Sequence, residues 1–409
     1  MNNLFYLRDT MRASFAHTFK EIKPMPGSPQ INRFLALINA DEKNLVISGS
    51  GFSINRNVAQ NSAIGESIER YCANYYNADK IIFENYSNLE KLKIKTLNPS
   101  MITRYTSEQY KKYLEYKDFN KDEPITWSNA KSILNDENIL IPFELIYLCN
   151  PPFNLPLRDI ISTGLACGQS KDQAIISGFN ECIERDSFMH FWLLGLVNFE
   201  IELTSIDDFE IKEMLDISNY CNLKLRAYDI TTDLMVPTFL TVVQVKNQNG
   251  FYLGCASSLD SFEALKKSIE EGIGGFSIYF EIIHYYKEEV PNMLDSSSTL
   301  DQHPLYYLVG NNDEILEKLL PETLPKKTFR NYSLNFEETI NNFFNEGYEI
   351  YYKDITTIDV KEMNLSVVRV SIPNLGFLSI NDPLLNCPRI IEKATKLKKN
   401  INLEPHPFP

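Results

Sequence analysis

The chain opens with two short apolar runs, RFLALINA (33–40) and NLVISGSGF (44–52), set on either side of a polar DEK turn, and the pattern predicts a pair of strands. From Asn57 to about Tyr76 apolar and small residues recur at helical spacing with no proline between them, which predicts a long helix. Residues 80–125 are polar and weakly patterned. The segment TWSNAKSILNDENILIPFELIYL reads as a hairpin turning around Asn135–Asn138, and the Pro-Pro pair at 151 ends it. STGLACG (162–168) leads into a second long helix over Lys171–Leu194, whose end, FMHFWLLGLVNF, is a buried helix much shorter than a bilayer requires. LKLRAYDI, VPTFLTVVQV and FYLGCASS predict strands, the last two joined through NQNG with its Asn249-Gly250 turn. A third helix is predicted from Ser261 to His284. Residues 287–333, with four prolines and a run of serines, read as an irregular surface excursion, after which NFEETINNFFNEGY is a helix and EIYYKDI and SVVRVSIP are strands. The alternation gives an α/β (mixed α+β) protein in one interwoven unit, since no linker separates two halves.

Composition narrows the chemistry. Of 409 residues, 44% are hydrophobic and 23% charged, an ordinary globular balance. The net charge of -14 excludes a protein that lives by wrapping nucleic acid, and an anionic ligand would need local cations or metal. The seven cysteines form no C-x-x-C pair, which suits reduced thiols and a cytoplasmic location; the five dispersed histidines give no zinc site. The N-terminal MNNLFYLRDTMRAS has no secretory pattern, and no span reads as membrane-crossing.

Against this background one phrase recurs. GESIERY (65–71) and NECIERD (180–186) each place two glutamates three residues apart, with an isoleucine between, an arginine behind and a serine four residues ahead. On a helix Ser62, Glu66 and Glu69 share one face, as do Ser177, Glu181 and Glu184, while Ile68 and Ile183 turn toward a core. A fold keeps close carboxylates together when a cation or shared proton compensates, and Mg²⁺ does this with oxygen ligands. Arg70 and Arg185 would contact phosphate or lock the glutamates. A single E-x-x-E-R on its own is usually a solvated helix face. Two matching copies behind Gly-rich segments favour a site. ALKKSIEEGIGG (264–275) is a partial echo, with Glu271 in the first carboxylate position and Gly274 in the second.

These residues resemble the YcaO-domain family, ATP-dependent enzymes that modify peptide backbone amides. SAIGESIER (62–70) is similar to the family's first motif, S-x-x-x-E-x-x-E-R, and SGFNECIE (177–184) to its second, N-x-x-x-E-x-x-E. SGSGFS, IPFELIYL, STGLACG, GCASSLDSFEAL and SVVRVSIPNL follow in family order, so the resemblance spans roughly 45–409 as the catalytic domain, with 1–44 integrated into the fold. Three departures stand out: Gly49-Ser50-Gly51 where many relatives have G-K-G, Ser177 for asparagine, and Gly274 for a glutamine, with Asn180 or Lys267 as substitutes. The resemblance implies a YcaO fold of mixed sheets flanked by long helices around a nucleotide cavity. It assigns ATP and Mg²⁺ to Glu66, Glu69, Glu181 and Glu184, with Ser62, Arg70, Asn180 and Glu271 as further contacts. Arg369 in VVRV reads as a core arginine paired to an acid, with a phosphate contact as the alternative.

The ending Pro405-His-Pro-Phe-Pro409 resembles the P-x-P-x-P tail of azoline-forming members, the cyclodehydratases of thiazole/oxazole-modified microcin biosynthesis. Alternating prolines are stiff and place a terminus at low entropic cost; a frayed tail is the plain alternative. Pro405 and Pro407 would present the Pro409 carboxylate beside the peptide. By resemblance the partners are a ribosomal precursor peptide, a leader-binding protein like ubiquitin-activating enzyme, a flavin dehydrogenase and a second copy of the chain. No winged-helix leader-binding module is visible in the sequence. Thioamide formation and a non-catalytic nucleotide-binding scaffold are the alternatives.

Overall fold

The computed structural model describes residues 16–40, 45–286, 300–310 and 313–408. β1 (Ala16–Glu21), β2 (Asn32–Ala40) and β3 (Leu45–Ser53) lead to helix α1 (Arg56–Ala73). β4 (Ile81–Asn85), β5 (Pro124–Ser132), β6 (Asn138–Pro142) and β7 (Leu165–Gly168) precede α2 (Lys171–Leu194). β8 (Phe199–Ile201), β9 (Leu223–Asp229), β10 (Thr238–Val245) and β11 (Tyr252–Ser257) precede α3 (Ser261–Tyr285). β12 (Lys326–Lys327), β13 (Tyr351–Asp354) and β14 (Ser366–Ser371) complete the strands.

Three sheets result, in the orders β1-β2-β3, β11-β10-β9-β8-β12 and β4-β5-β13-β14-β7, with β6 added on β5. Among the described residues every strand pairing is antiparallel except β12 with β8, which gives the expected mixed α+β fold. The expected strand pair is β2 with β3, in register from Asn32 opposite Ser53 to Ala40 opposite Leu45; the DEK turn lies outside the described residues. α1 packs between β3 and β7, α2 against β7, β14 and β11, and α3 against β11, β10 and β3, so each long helix bridges two sheets.

Local chemistry accounts for the long helices. Asn55 accepts from the backbone N–H groups of Asn57 and Val58 at the start of α1, and Ser170 caps α2 by accepting from Gln173. α2 stops where Gly195 takes φ 60°, a left-handed conformation that glycine adopts without strain. Its last two turns, residues 188–194, are buried on every side, His190 the one polar side chain among them, with Phe188, Phe191 and Trp192 in one cluster with Tyr228, Leu240 and Phe251. Among the described residues no helix is long and apolar enough to cross a membrane.

Two stretches differ from the pattern reading. Residues 80–125 hold the edge strand β4 and short helices at Tyr86–Lys91 and Ser107–Lys112, and Tyr105 is fully buried, its hydroxyl donating to Asp159 at 2.7 Å. Isolated aromatic anchors, invisible to a periodicity test, hold this stretch. Within 300–333, the helix His303–Leu308 is no surface excursion: Tyr307 is fully buried with its ring 5.4 Å from that of Trp192. Residues 287–299 lie outside the described residues.

The close approach of β3 to α1 depends on its glycines. A Cβ built on Gly51 would lie 2.0 Å from the Ala59 carbonyl oxygen, and one on Gly49 2.3 Å from that of Ala63. Gly51→Ala must therefore push α1 off β3 and cost about 2–3 kcal/mol of stability. Gly65 on the same helix meets nothing within 4 Å, so Gly65→Ala gains about 0.5–1 kcal/mol from helix propensity. Thermal denaturation of the two variants should move in opposite directions; equal shifts would contradict this packing.

Candidate functional site

Helix geometry decides which side chains of the repeated phrase meet. Ile68 and Ile183 are fully buried, as the spacing predicts, and Glu69 of α1 comes within electrostatic reach of Glu181 of α2. Glu66 accepts from the Ser50 backbone N–H at 2.5 Å and pairs with Arg70 at 2.6 Å. Arg70 also donates to the Ser48 carbonyl at 2.9 Å, so it locks Glu66 to β3. Glu69 reaches across to accept from the Cys167 N–H at 2.7 Å, at the end of β7. One carboxylate of α1 is thereby tied to the segment that introduces α2.

The α2 copy is wired in the same manner. Glu181 accepts from the Gly164 N–H at 3.1 Å and lies 3.7 Å from Arg185; Glu184 is buried, 3.5 Å from the same guanidinium. On α3, Glu271 pairs with Lys267 at 3.5 Å and is within electrostatic reach of Arg185, Glu181 and Glu184. Three helices thus contribute Glu66, Glu69, Glu181, Glu184 and Glu271 to one neighbourhood, with Arg185 and Lys267 among them. The buried Asn180 Oδ1 has no hydrogen-bond partner among the described residues, whereas Ser62 and Ser177 are exposed. A separate cavity of about 730 Å³, lined by Tyr75, Lys80, Lys131, Lys171 and Lys353, does not include any of these carboxylates.

Two of the three departures from the family pattern have a definite local setting. Ser50 between the two tight glycines presents its N–H to Glu66, a contact that any residue but proline at 50 can make. At Gly274 a Cβ would lie 2.1 Å from the ring of Phe52, so the volume a glutamine would need is taken by an aromatic side chain from β3. Lys267 rather than a glutamine supplies a polar group to the acidic cluster from this helix.

The tail is docked as far as Phe408. Tyr307 donates its hydroxyl to the Pro405 carbonyl at 2.5 Å, and the buried His406 contacts the Ser379 carbonyl at 2.9 Å. Phe408 packs edge-on to Phe188 of α2 at 4.2 Å, with the Arg185 guanidinium 5.0 Å from its ring centre. This anchoring contradicts a frayed tail over 405–408. Pro409 lies outside the described residues.

Arg369 departs from its expected environment. It is buried on β14, but among the described residues no acid pairs with it: its Nη2 donates to the Ile161 carbonyl at 2.8 Å, while Nε and Nη1 have no partner. The strand pairing explains why, since β7 and β13 flank β14 and the residues opposite Arg369 are Leu165 and Lys353. Arg158, which the sequence reading passed over, lies nearby and is also buried without an ion pair among the described residues.

The donor set is all oxygen and strongly acidic, which fits Mg²⁺ completed by phosphate and water. No group of three or more potential ligands is preassembled among the described residues, because each carboxylate is held by a backbone N–H or a cation. Glu66, Glu69, Glu181 and Glu184 would hold the ion together with the phosphates it accompanies. Without a cation, burial, and secondarily the facing Glu181 and Glu66, push the Glu69 carboxyl up to about 8. Burial also raises Glu184 and Glu271.

The sign of the resulting pH dependence follows from Glu69. Its reference value is 4.5, so between that pH and about 8 the folded state holds a proton that the unfolded state has lost. Folded-state stability therefore falls as pH rises through this window. Melting temperatures of metal-free, nucleotide-free protein should decline from about pH 5 to pH 8, and Glu69→Gln should flatten the decline. A wild-type curve that rises over the window would overturn the assignment.

Comparison with known proteins identifies the family and the fold. The YcaO cyclodehydratase family model, described as ATP- and Mg²⁺-binding, matches residues 50–376. Among solved structures the chain is similar to a heterocyclase in complex with substrate and cofactor (TM-score 0.74, 21% identity, 96% of this chain and 54% of that one). It is similar also to YcaO from Methanopyrus kandleri bound with AMPPCP and Mg²⁺ (0.63, 16%, 100% and 95%). A third match is the E. coli microcin synthetase McbBCD complex with pro-MccB17 bound (0.61, 18%, 88% and 88%). The chain spans about half the length of the first of these. The match over residues 50–376, most of the chain, places it in the YcaO cyclodehydratase family, whose members bind ATP and Mg²⁺.

Proposed function

We propose that the chain is the heterocycle-forming component of a peptide-modifying system, converting Cys, Ser or Thr of a ribosomal precursor to thiazoline or oxazoline at the expense of ATP. The observation that supports this most directly is the tie between the two acidic motifs, Glu69 to the Cys167 N–H and Glu181 to the Gly164 N–H, which focuses both on one place. In the proposed reaction the side-chain thiol or hydroxyl adds to the preceding carbonyl carbon. The carbonyl oxygen takes the γ-phosphoryl group of ATP, the β,γ-bridging electron pair staying with ADP. The C–O bond then breaks, its pair departing with phosphate, and loss of the amide proton leaves the C=N bond of the ring.

The residues of the chain supply position and charge. Glu66, Glu69, Glu181 and Glu184 are the proposed ligands of the Mg²⁺ that would neutralise the triphosphate, and Ser62, Arg70, Asn180 and Glu271 are proposed nucleotide contacts. The unpartnered Asn180 oxygen supports that role, since a buried acceptor without a donor awaits a ligand. Arg70 and Arg185 hold the glutamates in place. Pro405 and Pro407 position the chain end, and the Pro409 carboxylate serves as the base or orienting group. Residues 45–409 form the proposed catalytic domain, with β1 and β2 added to its first sheet. A leader-binding partner like ubiquitin-activating enzyme, a flavin dehydrogenase and a second copy of the chain are proposed to complete the assembly, and the cytoplasm is its proposed compartment. Support for peptide and partners comes from the similar fold solved as a microcin synthetase complex with pro-MccB17.

The test is product mass. Purified protein with its precursor, leader-binding partner, Mg²⁺ and ATP should remove one water per modified residue and release one phosphate. Exchange of oxygen for sulfur would mean thioamidation instead, and an unchanged peptide would mean a scaffold. Glu184→Gln and Glu69→Gln should each lower kcat by roughly 10²-fold or more, the scale of removing a group that stabilises transition-state charge.

A further inference from the structure

We infer that Arg158 and Arg369 form an oxyanion-binding subsite beside the glutamate cluster, one that takes the phosphoryl group as it passes from ATP to the peptide oxygen and leaves as phosphate. This rests on the function proposed above and adds to it a binding site for the anion itself.

Three observations converge. Both arginines are buried, at 5% and 2% exposure, yet neither makes an ion pair among the described residues. Arg158 donates from Nη1 to the Thr103 carbonyl at 3.1 Å and stacks 3.5 Å from the centre of the Phe377 ring; Arg369 donates only to Ile161. Three charged donor atoms, Arg158 Nε and Arg369 Nε and Nη1, are left without an acceptor. The acids nearest Arg158 are already engaged, Glu144 by the Leu157 N–H and Asp159 by the hydroxyls of Tyr105 and Tyr116.

A folded chain rarely leaves charged donors dry, because each such group loses its hydration without replacement. Guanidinium groups match tetrahedral oxyanions in geometry and remain charged in the interior. Burial, and for Arg158 the adjacent Arg369, lowers both to about 10, well above neutrality.

Their position suits the reaction. Val370, next to Arg369, donates to the Gly164 carbonyl at 2.8 Å, and the Gly164 N–H holds Glu181. Arg369 is therefore one peptide unit from the backbone group that holds a proposed metal ligand and lies within electrostatic reach of Glu181, with Arg158 within reach of Arg369. As the bridging P–O bond breaks and the new P–O bond to the carbonyl oxygen forms, negative charge on the phosphoryl oxygens passes next to two cations. The charge persists when the C–O bond breaks and phosphate departs.

The subsite can be tested without peptide. Inorganic phosphate should raise the melting temperature of the wild-type protein above a sodium chloride control of equal ionic strength, because it binds only the folded state. Arg369→Met and Arg158→Met should melt no lower than wild type without phosphate, since an unpaired buried charge is replaced by an apolar group of similar volume, and should lose the phosphate-dependent rise. In the complete reaction Arg369→Met should lower kcat at least tenfold with little change in KM for ATP, and Arg369→Lys should recover part of it. If wild-type protein shows no phosphate-dependent rise, or if Arg369→Met keeps it or melts lower by itself, the arginines are structural posts and the inference is overturned. If wild-type protein makes no azoline but the phosphate effect disappears in both variants, the subsite stands and the azoline reading fails.

Discussion

The constraint on which this molecule depends is the crowding of carboxylates at a junction of three helices. Like charges at short range in a poorly hydrated space repel strongly, and the fold answers in two ways. Backbone N–H groups of Ser50, Cys167 and Gly164 each hold one glutamate, and Arg70, Arg185 and Lys267 offset the charge. All three N–H donors come from β3, from β7 or from the turn before it. The sheets therefore do more than support the helices: their edges supply the hydrogen bonds that keep the acidic groups aimed inward. Glu69 and Glu181 reach opposite ends of the same short segment, which makes Gly164–Cys167 the brace between the motifs.

What the chain reveals before folding is what is local. The i, i+3 spacing of Glu66 with Glu69 and of Glu181 with Glu184, the isoleucine between each pair and the extents of the three long helices were legible, because 3.6-residue periodicity is written in consecutive positions. The β2–β3 and β10–β11 hairpins were legible for the same reason. The cross-chain facts were not. No spacing rule connects Glu69 to Cys167, 98 residues on, or tells that the residue opposite Arg369 would be Leu165 and not an acid. The stretch around His303–Leu308 looked irregular since its order comes from a few aromatic contacts, Tyr307 with Trp192 and Phe251, and has no repeat to betray it.

The C-terminal segment shows how a weak local signal becomes definite through tertiary contact. Alternating prolines say only that the backbone is stiff. Its docking depends on Tyr307, Ser379 and Phe188, which come from three parts of the sequence, and Phe188 stands four residues after Glu184 on the same helix. Displacement of α2 along its axis would therefore be felt at the chain end and at the acidic cluster together. The acidic pair and the buried aromatic end share one continuous rod of 24 residues.

The ring of Phe52 that fills the void beside Gly274 ties two positions more than two hundred residues apart into a single steric unit. An amide at 274 and a phenyl at 52 are mutually exclusive occupants of that space. In descendants of a common ancestor the two sites must change as a couple, small with large and large with small, and such paired exchange would mark in bare alignments which members of the lineage reach the acidic cluster from α3 with an amide and which, like this one, with an ammonium.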